Sequence, residues 1–411
     1  MFQPNRSSLS GTEMQMKTRK EKRFDEVEAG LQKLTPSNTF KNLGSFASRF
    51  TKISELLSYL GPYNPRPAPV TAKDAVWLFD NIAFKRSHGN WEAEFVSAVL
   101  TQHTTCDIAE AVAQIAERIG LSKDDAETET IEQRLMPFLL EIQPGRLVNA
   151  TFGSDTAMKL GPGGRNGISS AVKNLPVGES GEIVSTSAKV PAGTSGLLEM
   201  KTEYTEPEGW AVVSDIDDTI KVTMTSDPIG ILRSTFIDTP TPVAGMPELY
   251  AHIHKLLTPK TPFFYLSASP YNLYPFLSAF REQHYPFGQL ILRDASWLTI
   301  PGLLSNLTLG TEDYKVDRMQ KIHSWLPKKK MICIGDSTQS DPEAYGDIYR
   351  AFPGWVKVIL IRKVTDIAAV GIEAKNDPER FEKAFKGVPE DVWHVFESPS
   401  ECYEVIKNAV S

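Results

Sequence analysis

Residues 210–219, WAVVSDIDDT, decide how the rest of the chain is read. Ala211, Val212 and Val213 form an apolar run, and Asp215, Asp217, Asp218 and Thr219 follow at once. A strand that is apolar at consecutive positions is buried on both faces, as in the middle of a parallel sheet. In open α/β sheets the ligand binds beyond the carboxyl ends of the strands, which is where this acid cluster falls.

Working outward, the same grammar repeats. FFYLS (263–267), QLILRD (289–294), MICIGD (331–336) and VKVILIR (356–362) read as further buried strands. Between them lie stripes at helical spacing: Met246, Leu249, Tyr250, Ile253 and Leu257; Leu273, Phe276, Leu277 and Phe280; Val316, Met319 and Ile322 with Leu326. Strands alternating with amphipathic helices predict an α/β fold, a parallel sheet covered on both faces.

Polar residues recur at the ends of these strands. The second ends in Ser267-Ala268-Ser269, Lys315 opens the helix before the fourth, and the fourth ends in Gly335-Asp336-Ser337 with Asp341 five residues on from Asp336. Paired acids after a strand are often helix caps, so each motif alone is weak. Together they suit phosphoryl transfer. A phosphate monoester repels an anionic nucleophile, so a cation and a lysine must offset its charge before a carboxylate attacks. Carboxylate and carbonyl oxygens suit a hard ion such as Mg²⁺. A carboxyl two residues after the nucleophile can protonate the leaving oxygen and then activate water.

Upstream the pattern differs. RLVNATF (146–152), GEIVSTSAKV (181–190) and GLLEMKTEY (196–204) are short alternating runs broken by turns, which predict a small antiparallel β-unit over 145–209. Its loop GPGGRNG (161–167) lacks the Lys-Ser/Thr ending of a phosphate-cradling loop and reads as a hairpin connection. Residues 70–145 read as mixed, with helical stripes at Ile108, Val112, Ile115 and Ile119 and at Ile131, Leu135, Phe138 and Leu139. The four prolines of GPYNPRPAPV (61–70) predict an irregular linker. Leu43, Phe46, Phe50, Ile53, Leu57 and Leu60 form an apolar helical face with Lys41, Arg49 and Lys52 beside it, either docked on its own domain or lying on a membrane surface. Residues 1–38 are polar, with a basic cluster at Lys17, Arg19, Lys20, Lys22 and Arg23, and predict a disordered tail. The expected division is therefore 1–69 tail, helix and linker; 70–209 a mixed α plus antiparallel β domain; and 210–411 the α/β domain.

The 411 residues carry a formal net charge of −7, which argues against nucleic acid as a partner. Cys106, Cys333 and Cys402 are odd in number and far apart, arguing against a disulfide framework or a zinc-thiolate site and for a reducing compartment. His252 and His254, two apart on a helix, face different sides. No apolar run approaches membrane-spanning length. MFQPNRSSLS lacks a secretory core, and Glu13 and Glu21 count against a mitochondrial presequence, so the expected location is cytoplasmic.

Asp215–Thr219, Ser267, Lys315 and Asp336–Asp341 resemble the four motifs of the haloacid-dehalogenase superfamily. SDIDDTIKVT, FFYLSASPYNLYPFL, FGQLILRD and ICIGDSTQSDPEAYGDI resemble more narrowly the catalytic domain of the fungal actin-patch Mg²⁺-dependent phosphatidate phosphatases, strongly over about 210–365 and weakly at AVWLFDNIAFKRSHGNWEAEFVSAV (75–99). The resemblance implies a Rossmann-like domain and hydrolysis of phosphatidate to diacylglycerol through an aspartyl-phosphate. It implies Asp215 as nucleophile and metal ligand. Asp217 would be the acid/base, with its carbonyl on the metal, and Asp336 a direct ligand. Asp341 would act through water or orient the site, Ser267 and Lys315 would hold phosphoryl oxygens, and Thr219 would brace the turn. Asp218 is open between substrate contact and capping, Lys221 and Ser337 have no assigned role, and Arg293 and Asp294 are expected to pair. The stretch 220–262 is expected to hold a flap, one helix and turns, hence a minimal cap, which suits a membrane-embedded substrate and peripheral membrane association. Actin-patch proteins are implied as partners, although Ser411 is not preceded by the proline-rich tail that would recruit SH3 domains. The same motifs equally fit a soluble phosphoester or phosphoprotein substrate, or a membrane or actin-cortex adaptor whose enzyme domain is incidental.

Overall fold

The structure, a computed structural model, describes residues 64–86, 89–102, 112–113, 115–117, 120, 127–164, 167–258, 260–294, 310–366 and 371–411. The polar tail, its basic cluster, the stripe from Phe40 to Leu60, Ile108, Ile119 and Cys106 lie outside these residues.

Two sheets organise the described chain. The first contains β1 (Ala68–Pro69), β2 (Asp74–Phe79), β3 (Asn81–Lys85), β4 (Trp91–Gln102), β5 (Leu140–Ile142), β6 (Arg146–Phe152), β7 (Thr156–Leu160), β8 (Ile168–Leu175), β9 (Ile183–Lys189), β10 (Ser195–Leu197) and β11 (Glu199–Tyr204). Its main path runs β1-β6-β9-β11-β3-β4-β2-β10. The antiparallel run expected over 145–209 is not complete in itself: β8 pairs with β4, β11 with β3 and β10 with β2, so both halves of 70–209 build one sheet. Three pairings, β1·β6, β10·β2 and β11·β3, are parallel. GPGGRNG is not a hairpin loop, because the strands it joins, β7 and β8, pair with β6 and β4 respectively. The proline-rich linker is not wholly irregular either. Ala68–Pro69 pairs at the end of the sheet, where a proline removes no needed donor.

The second sheet is formed by β12 (Trp210–Asp215), β13 (Phe263–Pro270), β14 (Gln289–Arg293), β15 (Lys330–Asp336), β16 (Val356–Arg362) and β17 (Trp393–Phe396). It is parallel throughout, in the order β14-β13-β12-β15-β16-β17. The chain builds outward from β12 to β14, then returns to lay β15 on the other side of β12. The β12/β15 crevice is therefore the topological switch point.

Alternate side chains explain why these strands read as continuous apolar runs. Val212, Phe263, Tyr265, Ile332, Ile334 and Val358 enter the core on one face, and Ala211, Val213, Phe264, Leu266, Met331, Cys333 and Ile359 enter the other. The first face is covered by α2 (Pro228–Phe236), α3 (Met246–Leu257), α4 (Tyr274–His284) and α9 (Cys402–Val410), joined by α1 (Glu127–Leu135) from the other half of the chain. The second face is covered by α5 (Thr311–Trp325), α6 (Asp341–Ala351) and α8 (Pro378–Ala384); the short α7 is Ile372–Lys375. The stretch 220–262 thus holds two helices rather than one.

The two sheets are pinned together by polar groups. Arg281 of α4 lies 3.0 Å from the Asp80 carboxylate, and the backbone N–H of Asp80 donates to the Tyr274 hydroxyl at 2.7 Å. Phe84 stacks on Trp325 at 5.4 Å between ring centres. Lys321 meets Glu94 at 2.5 Å. Glu203 of β11 is buried here too; burial pushes its carboxyl up to about 8, against the opposing pull of Lys329 and Arg281. No helix among the described residues is long and apolar enough to cross a membrane.

Candidate active site

Asp215 is the last residue of β12 and Asp336 the last of β15, so the switch point brings them side by side. Asp341 begins α6 and Lys315 lies in the second turn of α5, not at its opening. Lys315 Nζ is 2.6 Å from Asp215 Oδ1 and 2.6 Å from Asp341 Oδ1. The contact with Asp341 is a directed hydrogen bond. That with Asp215 is an ion pair, and among the described residues Oδ1 has no hydrogen-bond donor besides this ammonium. The Thr219 hydroxyl is shared between Asp215 Oδ2 at 3.2 Å and Asp336 Oδ2 at 3.3 Å, and so ties the two strand ends together.

The carboxylates of Asp215, Asp336 and Asp341 lie within 4.8 Å of one another, with one lysine among them. The electrostatics register that deficit of positive charge. Burial first, and then Asp341, Asp336 and Asp217, raise the Asp215 carboxyl well above its ordinary range, although Lys315 opposes them. Burial and Asp341 push Asp336 up to about 6 against Lys315 and the bonds from Thr338. Burial would strip Lys315 of its proton, but Asp215, Asp341 and Asp336 reverse that and hold it as an ammonium. Three hard oxygen donors in a buried pocket short of positive charge fit a divalent cation.

Asp217 stands apart from that cluster. Its Oδ2 accepts from the Ser267 hydroxyl at 2.6 Å and the Ser269 hydroxyl at 3.3 Å, and its Oδ1 from the Thr223 hydroxyl at 2.9 Å. Ser267 is thus turned to Asp217. Asp218, left open between two roles, is structural here. At a left-handed φ of 59°, its carboxylate accepts from the backbone N–H groups of Thr223, Met224 and Thr225 and from the Thr225 hydroxyl. That grip folds 222–226 into a flap, which Thr225 ties to Thr338 hydroxyl-to-hydroxyl at 2.9 Å. Lys375 donates from α7 to Ser226 Oγ at 3.3 Å and to the Thr338 carbonyl. The flap closes the site: Asp215, Asp217, Asp336, Asp341 and Lys315 are each at most 3% exposed.

Ser337 braces the neighbouring loop by accepting from the backbone N–H of Val364 at 3.0 Å. Arg293 lies over the Tyr314 ring at 5.2 Å, and Asp294 faces Arg318 at 4.0 Å. Thr223, Thr225 and Thr338 were not singled out by the sequence, and Ser269 was named at its strand end without a role. The alternating threonines of 221–225, KVTMT, were the available signal.

Residues 210–363 match the family described as phosphatidate phosphatase APP1, catalytic domain. The segment resembles that catalytic domain. The chain is also 30% identical over 181 residues to phosphatidate phosphatase APP1 of Saccharomyces cerevisiae, across 42% of this chain and 30% of that relative. It therefore spans under a third of the length of the relative it matches. The carboxylate cluster, Lys315 and the flap all fall inside the matched segment.

Proposed function

We propose that this chain is a Mg²⁺-dependent phosphatidate phosphatase of haloacid-dehalogenase type, with 210–411 as its catalytic domain and 70–209 as an accessory domain. The observation that carries the reading is the meeting of Asp215, Asp336, Asp341 and Lys315 at the switch point of a segment resembling a phosphatidate phosphatase. Asp215, Asp336 and Asp341, with the Asp217 carbonyl, would hold the ion, which when bound supplies positive charge against the phosphoryl oxygens. Lys315 orients the same oxygens and opposes the protonation of Asp215 that burial favours. Asp215 attacks phosphorus to form an aspartyl-phosphate, and the ester oxygen departs with a proton from Asp217. Asp217 then takes a proton from the water that hydrolyses the intermediate. Ser267, now bonded to Asp217, turns to the phosphate when substrate enters, and Thr219 keeps Asp215 and Asp336 in register. The substrate lies in a bilayer, so the reading includes peripheral attachment to a membrane, with actin-cortex proteins as partners.

The test is phosphate release from phosphatidate in mixed micelles, with Mg²⁺ and with EDTA. Release should require Mg²⁺, and Asp215→Asn should retain less than about 1% of it with an unchanged melting temperature, since losing a covalent nucleophile costs orders of magnitude. Full activity in EDTA would sink the mechanism. Hydrolysis of soluble esters but not of phosphatidate would sink the substrate.

A further inference from the structure

Lys221 lies next to this machinery and the mechanism leaves it unused. It is 2% exposed, and its ammonium makes no ion pair among the described residues. Nζ donates to the Val222 carbonyl at 3.3 Å and to Thr223 Oγ1 at 3.1 Å, with the Phe276 ring centre 5.6 Å away. Burial accordingly lowers its pKa, with Asp217 and Asp218 opposing. An ammonium so poorly compensated is costly to keep in a protein interior.

Its chemistry fixes a direction. An ammonium can only donate, so Thr223 Oγ1 must accept from Lys221 and spend its own proton elsewhere. Two acceptors are within reach: Asp217 Oδ1 at 2.9 Å and the Lys221 carbonyl at 3.4 Å. The nearer one is also charged, and charge-assisted bonds are the stronger kind. On the other side of the carboxylate, Ser267 Oγ already accepts from the Ser269 N–H at 3.0 Å and donates to Oδ2.

We propose that Lys221 is a positioning residue: by occupying one lone pair of Thr223 Oγ1 with its ammonium it turns that hydroxyl to donate to Asp217 Oδ1, so that the proton Asp217 delivers is not drawn into the flap and goes to the ester oxygen. The inference rests on the acid/base role proposed for Asp217. In the step it serves, the bond from Asp215 oxygen to phosphorus forms as the bond from phosphorus to the ester oxygen breaks. The electron pair stays on that oxygen, which takes the Asp217 proton and leaves as an alcohol. Without Lys221, the Thr223 hydroxyl can rotate, accept from Asp217 and draw its proton away from the leaving group.

An aryl phosphate with a stable phenolate leaving group needs little proton delivery; an alkyl phosphate needs it fully. The experiment compares kcat on p-nitrophenyl phosphate and on phosphatidate in mixed micelles for the wild type, Asp217→Asn, Lys221→Met, Thr223→Val and Thr223→Ser, with melting temperatures for each. Lys221→Met and Thr223→Val should lose about tenfold or more on phosphatidate beyond their loss on the aryl ester, a part of the roughly 100- to 10,000-fold a general acid supplies. Thr223→Ser, which keeps the hydroxyl, should restore the wild-type ratio. Equal losses on both substrates in Thr223→Val, or a Ser variant as impaired as the Val variant, would overturn the proposal even if Lys221→Met fails to fold. If Asp217→Asn itself shows no preference for the aryl ester, the acid/base assignment fails instead, and the relay with it.

Discussion

At the scale of single residues, the acid-rich turn after β12 divides its labour. Asp215 lies beside Lys315 and Asp217 beside Ser267, the places the proposed mechanism gives them, whereas Asp218 accepts four hydrogen bonds from three consecutive flap residues. Asp218→Asn keeps the shape but turns one acceptor oxygen into a donor aimed at other donors. It should cost about 2–4 kcal/mol, the scale of lost bonds to a charged group, and speed amide exchange at 223–225. Thermal melting of the metal-free protein and hydrogen exchange would check this. An unchanged melting temperature with lost activity would return Asp218 to the role of a substrate contact. The carboxylates and Lys315 were legible because charged side chains at the ends of buried strands have few structural uses. The hydroxyls of Thr223 and Thr338 were not, because threonine near turns ordinarily bonds to backbone.

At the scale of elements, the end of β15 and the start of α6 are fitted to each other. A Cβ at Gly335 would lie 2.6 Å from Cβ and Cγ of Asp341 and 2.9 Å from the Tyr345 ring. Gly335→Ala must therefore push the first turn of α6 away. Overpacking should cost about 1–3 kcal/mol. The displaced carboxylate should lower kcat about 100-fold and raise the Mg²⁺ needed for half activity, and a Mg²⁺ titration of turnover would measure both. The fit explains what reading the chain achieved and where it stopped. β12, β13, β15 and β16 announce themselves by residues buried on both faces. β9 shows as the alternating run GEIVSTSAKV, but its place between β6 and β11, like the parallel pairs β10·β2 and β11·β3, is set by distant partners and carries no local mark. β17, only WHVF, is too short to show a pattern. α2 was hidden by Pro228 and Gly230. Gly230 is required inside that helix because a Cβ there would meet Met224 at 2.6 Å.

At the scale of the whole molecule, the two sheets meet over buried charge, and this makes stability depend on pH. Glu203 has an ordinary carboxyl pKa of 4.5 when unfolded and about 8 in the fold. A carboxyl raised by folding costs nothing while protonated in both states, below about pH 4.5, and costs progressively more as pH rises to 8. Glu203→Gln should therefore match the wild type at pH 4 and melt above it by a margin that grows up to pH 8. A Gln variant that melts below the wild type at pH 8 would contradict this. Lys329, pushed down to about 8 by burial against the opposing Glu203 and Glu206, acts in the opposite sense above that pH, so the comparison belongs below it. The closure of the site by the flap also makes chelation into a clock. With every carboxylate of the cluster at most 3% exposed, EDTA cannot reach an ion held there, and can only capture one that escapes when the flap lifts. Inactivation by excess EDTA should follow a single exponential whose rate is independent of chelator concentration, and Thr225→Val, which cuts the bond to Thr338, should quicken it. A rate proportional to EDTA would mean that the closed state opens faster than the chelator can sample it. Under the proposed reading, the half-life of activity in EDTA reports how often the molecule exposes its own reaction centre.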